Sequence, residues 1–403
     1  MNIEKILSTH PQWGAVQKIY HKLNEKGYKA FLAGGCVRDA LLGVSARDLD
    51  IATDAEPAVV ESLFAKTVGV GKVFGVIRVL EDGEDIEVAT FRTDGQYLDG
   101  RRPEGVHFSS PQEDAQRRDF TVNALFYDFA SQQVIDYVGG QADLAQKVLK
   151  TVGRAEDRFQ EDHLRILRAV RFVAQLDFSL ESETSKAIRE MASLVATVSS
   201  ERISEELVKL LLSFHVEKGL QALQSHGLMQ VLFPFRENNV DWQPPQGTLT
   251  ESESLTLFFE PCPLNELGPR LKSLRLSVKT IRFIENALGV LKDPQSFFEM
   301  PQGKQLERLS VDGIAFSLRC LLERGYIGEY KPKAADLLKT FAIWGGELPE
   351  RWIRGEDLKA EMQGRSLGEA LQDVYERQLE GQFKSPQEAL AWVRQKYIKG
   401  VSS

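Results

Sequence analysis

The chain has only three cysteines in 403 residues, Cys36, Cys262 and Cys320. Odd in number and far apart, they make neither a disulfide framework nor a zinc-ligand pattern, and each reads as a small buried hydrophobe. Also missing is any apolar run long enough to span a bilayer. The first residues, MNIEKILSTHPQW, carry charged and amide groups where a signal peptide needs an uninterrupted apolar segment. A cytoplasmic protein is the expectation. There is no surplus of positive charge, the formal net charge being -8. That argues on its face against a polyanionic partner, although nucleic-acid binding depends on local patches rather than on the total. What is present is an average globular composition, 42% hydrophobic and 27% charged, in a chain too long for one core. Two to four domains are expected.

Residues 1 to about 150 mix short β-branched runs (KAFLAGGCV, LDIAT, QVIDYVGG) with helical patterns, which reads as an α/β or α+β domain. VIRVL and IEVATF flank EDGED, whose Asp-Gly predicts a tight hairpin. From about Glu156 the periodicity becomes helical, as in HLRILRAVRFVAQL and ERISEELVKLLL, so the remainder is expected to be predominantly α. NNVDWQPPQGTLTESES is the best candidate for a flexible loop, and GGELPERW for a boundary before a C-terminal helical module.

The stretch FLAGGCVRDALLGVSARDLDIAT, from Phe31 to Thr53, concentrates the chemistry. KAFLA predicts a strand, Gly34-Gly35 a turn and CVRDALLG a helix. Glycines at such a turn let backbone N–H groups approach a phosphate, and Arg38 would meet the same anion from the helix. In RDLDIAT, Asp48 and Asp50 alternate with Leu49 and Ile51; on a strand both carboxylates share one face while the apolar pair faces the core. Two such charges repel unless a cation sits between them. Magnesium binds through one or two carboxylates plus substrate phosphates. A third carboxylate is expected from a neighbouring strand, and Glu87 in IEVATFR is the candidate, although the alternation alone lets it point to solvent.

LAGGCVRDALLG with DLD, then RRDFTVNAL (Arg117 to Leu125), then EDHLRILRAVRF (Glu161 to Phe172) resemble the motifs of the class II tRNA nucleotidyltransferase and bacterial poly(A) polymerase family, in its order. DYVGGQADL resembles the hinge that ends that family's head, SSERISEEL its neck motif and IRGEDLKAEMQGRSLGEAL its tail. The resemblance implies an α+β fold with a polymerase-β-like head at 1–150. A helical neck (151–215), body (216–345) and tail (346–403) would follow.

It further implies catalysis by Asp48, Asp50 and Glu87, with Mg2+ on the two aspartates. Nucleotide binding would fall to Gly34, Gly35, Arg38, Arg118, Asp119, Asn123, Asp162, Arg165, Arg168 and Arg171. Asp119 and Asn123 are expected on a helix start facing the pocket. Arg165, Arg168 and Arg171 step by three residues along a helix, within mutual reach. A triphosphate and its base would supply their counter-charge. Asp162 and Arg165, an i,i+3 pair, offer an acceptor and donors to a base edge. Cytosine and adenine both present an amino donor beside a ring-nitrogen acceptor, whereas uracil and guanine would leave buried groups unpaired.

The activity implied is CCA addition to tRNA from CTP and ATP without a nucleic-acid template. Phe91 to Phe108 corresponds to the family's flexible loop, which CC-adding enzymes lack. GKVFGVIRV departs from the HGT of many CCA-adding relatives and partly resembles the poly(A) polymerase variant, so A-adding or poly(A) synthesis is the alternative product. An inactive RNA-binding protein on the same scaffold is the reading outside enzymes. None of the six histidines is followed by Asp, so no appended HD phosphohydrolase domain is expected.

Overall fold

The computed structural model describes residues 3–95, 105–325 and 327–398. Contacts divide the chain into two compact units, Met1–Val240 and Asp241–Ser403. The division falls inside NNVDWQPPQGTLTESES, where residues 239–250 form no helix or strand.

The first unit is built on a seven-stranded mixed sheet. Its strands are β1 (Ala30–Ala33), β2 (Ile51–Thr53), β3 (Thr67–Gly71), β4 (Val76–Glu81), β5 (Glu84–Thr90), β8 (Leu125–Asp128) and β9 (Gln133–Asp136). Between β5 and β8 lies a separate antiparallel ribbon of β6 (Arg92–Asp94) and β7 (Val106–Phe108). The sheet order is β3-β4-β5-β2-β1-β8-β9, with β2 and β5 parallel and the other pairs antiparallel. The expected hairpin is there. Asp82 (φ 53°) and Gly83 (φ 86°) make its two-residue turn, both in the left-handed region that the strands' twist demands.

Alternation along β5 sorts the two faces of the sheet. Ile86 and Val88 point into a core shared with Leu32, Ile51, Ile77 and Val79 and with Val16, Ile19 and Leu23 of the helix Trp13–Glu25. Glu87 points the other way, to the face where Ala33, Ala52, Phe91, Ala124 and Phe126 form a second cluster. Expelling the Ile86 and Val88 side chains from water therefore fixes Glu87 on the opposite face, because the side-chain period of a strand is two.

The second unit, 241–403, is helical, beginning at Glu251–Phe259 behind a Thr250/Glu253 capping box. GGELPERW is free of helix, as expected of a boundary. Both sides of it nevertheless belong to this unit. The helix Gly364–Leu379 gives Tyr375 and Leu379 to the cluster of Phe297, Leu306, Ile314 and Leu318, and Ala370 and Val374 to that of Ile353, Leu358 and Val393. Among the described residues no helix is long and apolar enough to cross a membrane.

Candidate active site

The first part of the site forms where β1 ends. Gly34 follows it with φ 78° and begins the helix Gly35–Leu41. A side chain here is strained by the backbone conformation, and an added Cβ would lie 2.8 Å from Arg118 Nη1, so the Arg118 guanidinium would have to shift. Beside this turn, the Ala33 amide donates to the Asp50 carbonyl at 3.0 Å. The expected strand through Asp48 and Asp50 begins one residue later, at Ile51. The alternation survives the shift. Leu49 and Ile51 are buried, Asp48 is exposed and Asp50 lies between. What sets it is burial of the two apolar side chains, which needs no ladder hydrogen bonds.

Because Ile51 pairs with Val88 in the parallel register, Glu87 lies on the strand next to Asp50. The electrostatics carry this proximity. Burial, then the charges of Glu87 and Asp48, push the Asp50 carboxyl up to about 7, with Arg118 opposing. Among the described residues, no group of three or more His, Cys, Asp or Glu side chains is gathered closely enough to hold a metal ion. A pair of carboxylates carrying excess negative charge, with a third alongside, does fit a hard divalent cation that completes its shell with water and phosphate oxygens.

Arg118 is held by Asp114, buried at the end of the helix Pro111–Gln116, and gives Nη1 to the Asn123 carbonyl at 3.1 Å. The same carboxylate takes Arg117 at 2.6 Å. Burial alone would raise Asp114, but the two arginine charges outweigh it and hold the group below the ordinary carboxylate range. RRDFTVNAL is not a helix start. Thr121–Asn123 is a single 3₁₀ turn, and it turns Asp119 and Asn123 inward, where both are buried. DYVGGQADL supports that turn. Asp136 accepts from the amides of Val138, Gly139, Gly140 and Gln141, which brings Gly140 so close that an added Cβ would sit 2.2 Å from the Thr121 carbonyl oxygen.

From Asn123 a chain of polar contacts runs in both directions. Its Oδ1 accepts from Arg38 Nη1 at 2.5 Å and its Nδ2 donates to Asp119 at 3.2 Å. Asp119 takes Arg168 through Nε (2.8 Å) and Nη2 (2.6 Å). Burial would raise Asp119, but Arg168 outweighs it and holds the carboxyl far below the usual range. Arg168 Nη1 also lies 3.9 Å from Glu206, which accepts from Arg171 Nε at 2.5 Å. Three guanidiniums, from Arg38, Arg168 and Arg171, surround the Phe172 ring at 5.3, 5.5 and 3.7 Å from its centroid.

Three expectations are corrected here. The arginine row does not wait for a triphosphate, because Asp119, Glu161 and Glu206 already supply its counter-charge: Arg165 is ion-paired with Glu161 and also donates to the carbonyls of Arg158 and Arg117. Arg38, likewise, is buried against Asp39 and Asn123 rather than standing open at the Gly34–Gly35 turn. Nor do Asp162 and Arg165 lie together on one helix. The helix Ala155–Glu161 stops, Asp162 is extended, and a new helix runs from Leu164 to Leu176. Asp162 is paired with Arg202 instead. Of the loop at Phe91 to Phe108, residues 96–104 lie outside the described residues.

Asp114, Arg202 and Glu206 are absent from the expected set. For Glu206 a signal existed: in ERISEELVKLL it falls on the apolar stripe of Ile203, Leu207, Leu210 and Leu211, where an acid needs a buried cation.

The chain matches the family described as "Poly A polymerase head domain" over residues 30–150, and "Probable RNA and SrmB- binding site of polymerase A" over residues 177–239. It is 34% identical to the CCA-adding enzyme of Geobacillus thermodenitrificans over 392 residues, 94% of this chain and 96% of that enzyme. A 48% identical match to the CCA-adding enzyme of Bacillus pumilus covers 215 residues, about half of that relative at 54% of its length. The crystal structure of the Bacillus stearothermophilus CCA-adding enzyme in complex with CTP superposes with a TM-score of 0.76 at 28% identity, over 96% of this chain and 98% of that one. An end-to-end relative, an end-to-end structural counterpart and a head whose turn, carboxylates and arginines come together thus agree, and the chain belongs to the CCA-adding enzyme family of nucleotidyltransferases.

Proposed function

We propose that this protein builds or repairs the 3′-terminal CCA of tRNA from CTP and ATP, without a nucleic-acid template and with Mg2+, in the cytoplasm. The observation that carries the reading is Asp50. It is partly buried, next to Glu87 on the neighbouring strand and two residues from Asp48, beside a glycine turn and Arg118, in a chain whose relatives are CCA-adding enzymes.

Asp48 and Asp50 would hold the metal, with Glu87 alongside. When bound, magnesium supplies positive charge to the phosphoryl oxygens being transferred. The chain's own residues do the rest. The Gly34–Gly35 turn leaves backbone room for phosphate, and Arg118, fixed by Asp114, carries positive charge at its edge. Asp119, Asn123, Arg38, Arg168 and Arg171 act in this reading by holding the pocket wall in one arrangement. Asp162 meets the base, while Arg165, paired with Glu161, holds the chain on either side of it. The RNA 3′-hydroxyl attacks the α-phosphorus of the nucleotide and pyrophosphate leaves. Residues 1–150 would carry the chemistry and 151–215 base choice, while 216–345 and 346–403 grip the tRNA.

Sequencing the products on three substrates tests the reading: tRNA lacking CCA, tRNA ending in CC, and unstructured RNA. Two cytidines, one adenosine and then arrest are expected on the first. Addition to the CC-ended substrate alone would mean an A-adding enzyme. Long adenosine tails on unstructured RNA would mean a poly(A) polymerase, the outcome towards which GKVFGVIRV leans. Asp48→Ala and Asp50→Ala should each cost on the order of a hundredfold or more in incorporation, and near-normal activity in either would sink the metal assignment.

A further inference from the structure

The break at Asp162 is spanned by Arg165, bonded back to Glu161 and the Arg158 carbonyl, and is also met by a second stretch of chain. Asp162 has φ -142° and ψ 105° between the helices Ala155–Glu161 and Leu164–Leu176. Three residues from 197–206 reach it or its surroundings. Thr197 Oγ1 lies 2.7 Å from His163 Nδ1, Arg202 pairs with Asp162, and Glu206, one turn beyond Arg202, pairs with Arg171. Arg202 places one N–H on each carboxylate oxygen, Nη1 to Oδ1 at 3.0 Å and Nη2 to Oδ2 at 2.7 Å. The Leu164 amide adds a second donor to Oδ1 at 3.1 Å.

A carboxylate has about four acceptor positions. Here both positions on Oδ1 are taken, and one on Oδ2. Oδ2 therefore keeps one acceptor position with no donor among the described residues. That is the capacity needed for a single exocyclic amino group, the feature that cytosine and adenine share and that uracil and guanine replace with a carbonyl oxygen. Both side chains are largely withdrawn from water, at 23% and 16% exposed, so an acceptor facing a carbonyl there has little solvent to relieve it.

We propose that Arg202 is a positioning residue for base selection. Its planar fork fixes the rotation of the Asp162 carboxylate so that one lone pair, on Oδ2, meets the incoming base. Only arginine supplies two parallel donors in that geometry; lysine offers a point charge and no fork. Without the fork the carboxylate turns, Oδ1 and Oδ2 exchange roles, and the penalty on uracil and guanine falls. The inference rests on the reading of Asp162 as the residue that meets the base, and the experiment separates the two.

Full-length protein is assayed on tRNA lacking CCA, with Mg2+, for kcat/KM of CTP, ATP, UTP and GTP. The variants are Asp162→Ala, Arg202→Gln, Arg202→Lys and the double variant Asp162→Ala/Arg202→Gln. Arg202→Gln should raise the UTP-to-CTP ratio by roughly tenfold, the effect of one charge-assisted hydrogen bond. Arg202→Lys should raise it by less. The double variant should relax the ratio no further than Asp162→Ala alone, since Arg202 acts only through that carboxylate. A relaxed ratio in Asp162→Ala with an unchanged ratio in both Arg202 variants would overturn the role of Arg202 and leave Asp162 standing. An unchanged ratio in Asp162→Ala would overturn both, and multiplicative losses in the double variant would overturn the coupling. Should Arg202→Gln fail to fold, Arg202→Lys carries the test, and a wild-type ratio there refutes the proposal.

Discussion

Replacing Asp50 with asparagine should stabilise the metal-free protein, and the gain should grow with pH. Burial and the neighbouring charges of Glu87 and Asp48 raise this carboxyl from 3.8 to about 7. Between those values the folded protein holds a proton that the unfolded chain has released. Stability linked to the group is therefore complete below the unfolded value and is lost as pH rises through about 7. The separation is about three pH units, each worth ~1.4 kcal/mol, so the ceiling on the loss is ~4 kcal/mol. Asparagine has nothing to ionise. Its advantage over wild type should be under ~1 kcal/mol at about pH 4 and approach the ceiling at about pH 8. Urea unfolding in the presence of a chelator measures it directly. Adding Mg2+ at the upper pH should then restore wild type far more than Asp50→Asn, because a bound cation removes the same repulsion. If the two proteins keep a constant difference across the range, Asp50 is not crowded by like charge and the argument for a cation site there fails.

Gly140→Ala should destabilise by roughly 3 kcal/mol, since the new Cβ would lie 2.2 Å from one backbone oxygen of the Thr121 turn and that turn must move; a denaturation midpoint equal to wild type would show that it moves freely. Glu206→Ala should cost roughly 3–5 kcal/mol in urea unfolding, because Arg171, buried beside it, loses its carboxylate. A loss below ~1 kcal/mol would mean that water or another acid replaces Glu206.

The fold and the site were legible where local chemistry alone decides. Asp82-Gly83 made its hairpin because both positions need φ > 0, and Gly34 sits at a strand-to-helix turn for the same reason. Glu87 was ambiguous in sequence because alternation gives two faces without naming the buried one; the Val16, Ile19 and Leu23 face of a distant helix decides it. The three-residue step shows the arginines as a row but says nothing of their partners. Asp119 lies 49 residues before Arg168, and Glu206 lies 35 after Arg171, separations that no local period encodes. EDHLRILRAVRF is periodic throughout, so the sequence predicts a continuous helix through Asp162. The Leu164 amide donating to the Asp162 carboxylate, and Arg202 drawing that carboxylate away, interrupt a pattern whose letters do not change.

The contacts at Asn123, Asp119 and Glu206 have a consequence for recombination between relatives. A chimaera cut near residue 150 would take Asp119 from one parent and Arg168 from the other, and would assemble Arg38 around a foreign Phe172. Each parent's pairing is self-consistent, but in the hybrid the pairs that cross the cut, Asp119 with Arg168 and Arg38 with Phe172, draw their halves from different parents. A cut within 239–250 crosses none of these contacts. The smallest exchangeable piece of this protein is thus the sheet together with the helices that carry the arginines, and libraries of hybrids divided there should yield folded members where libraries divided at the end of the sheet do not.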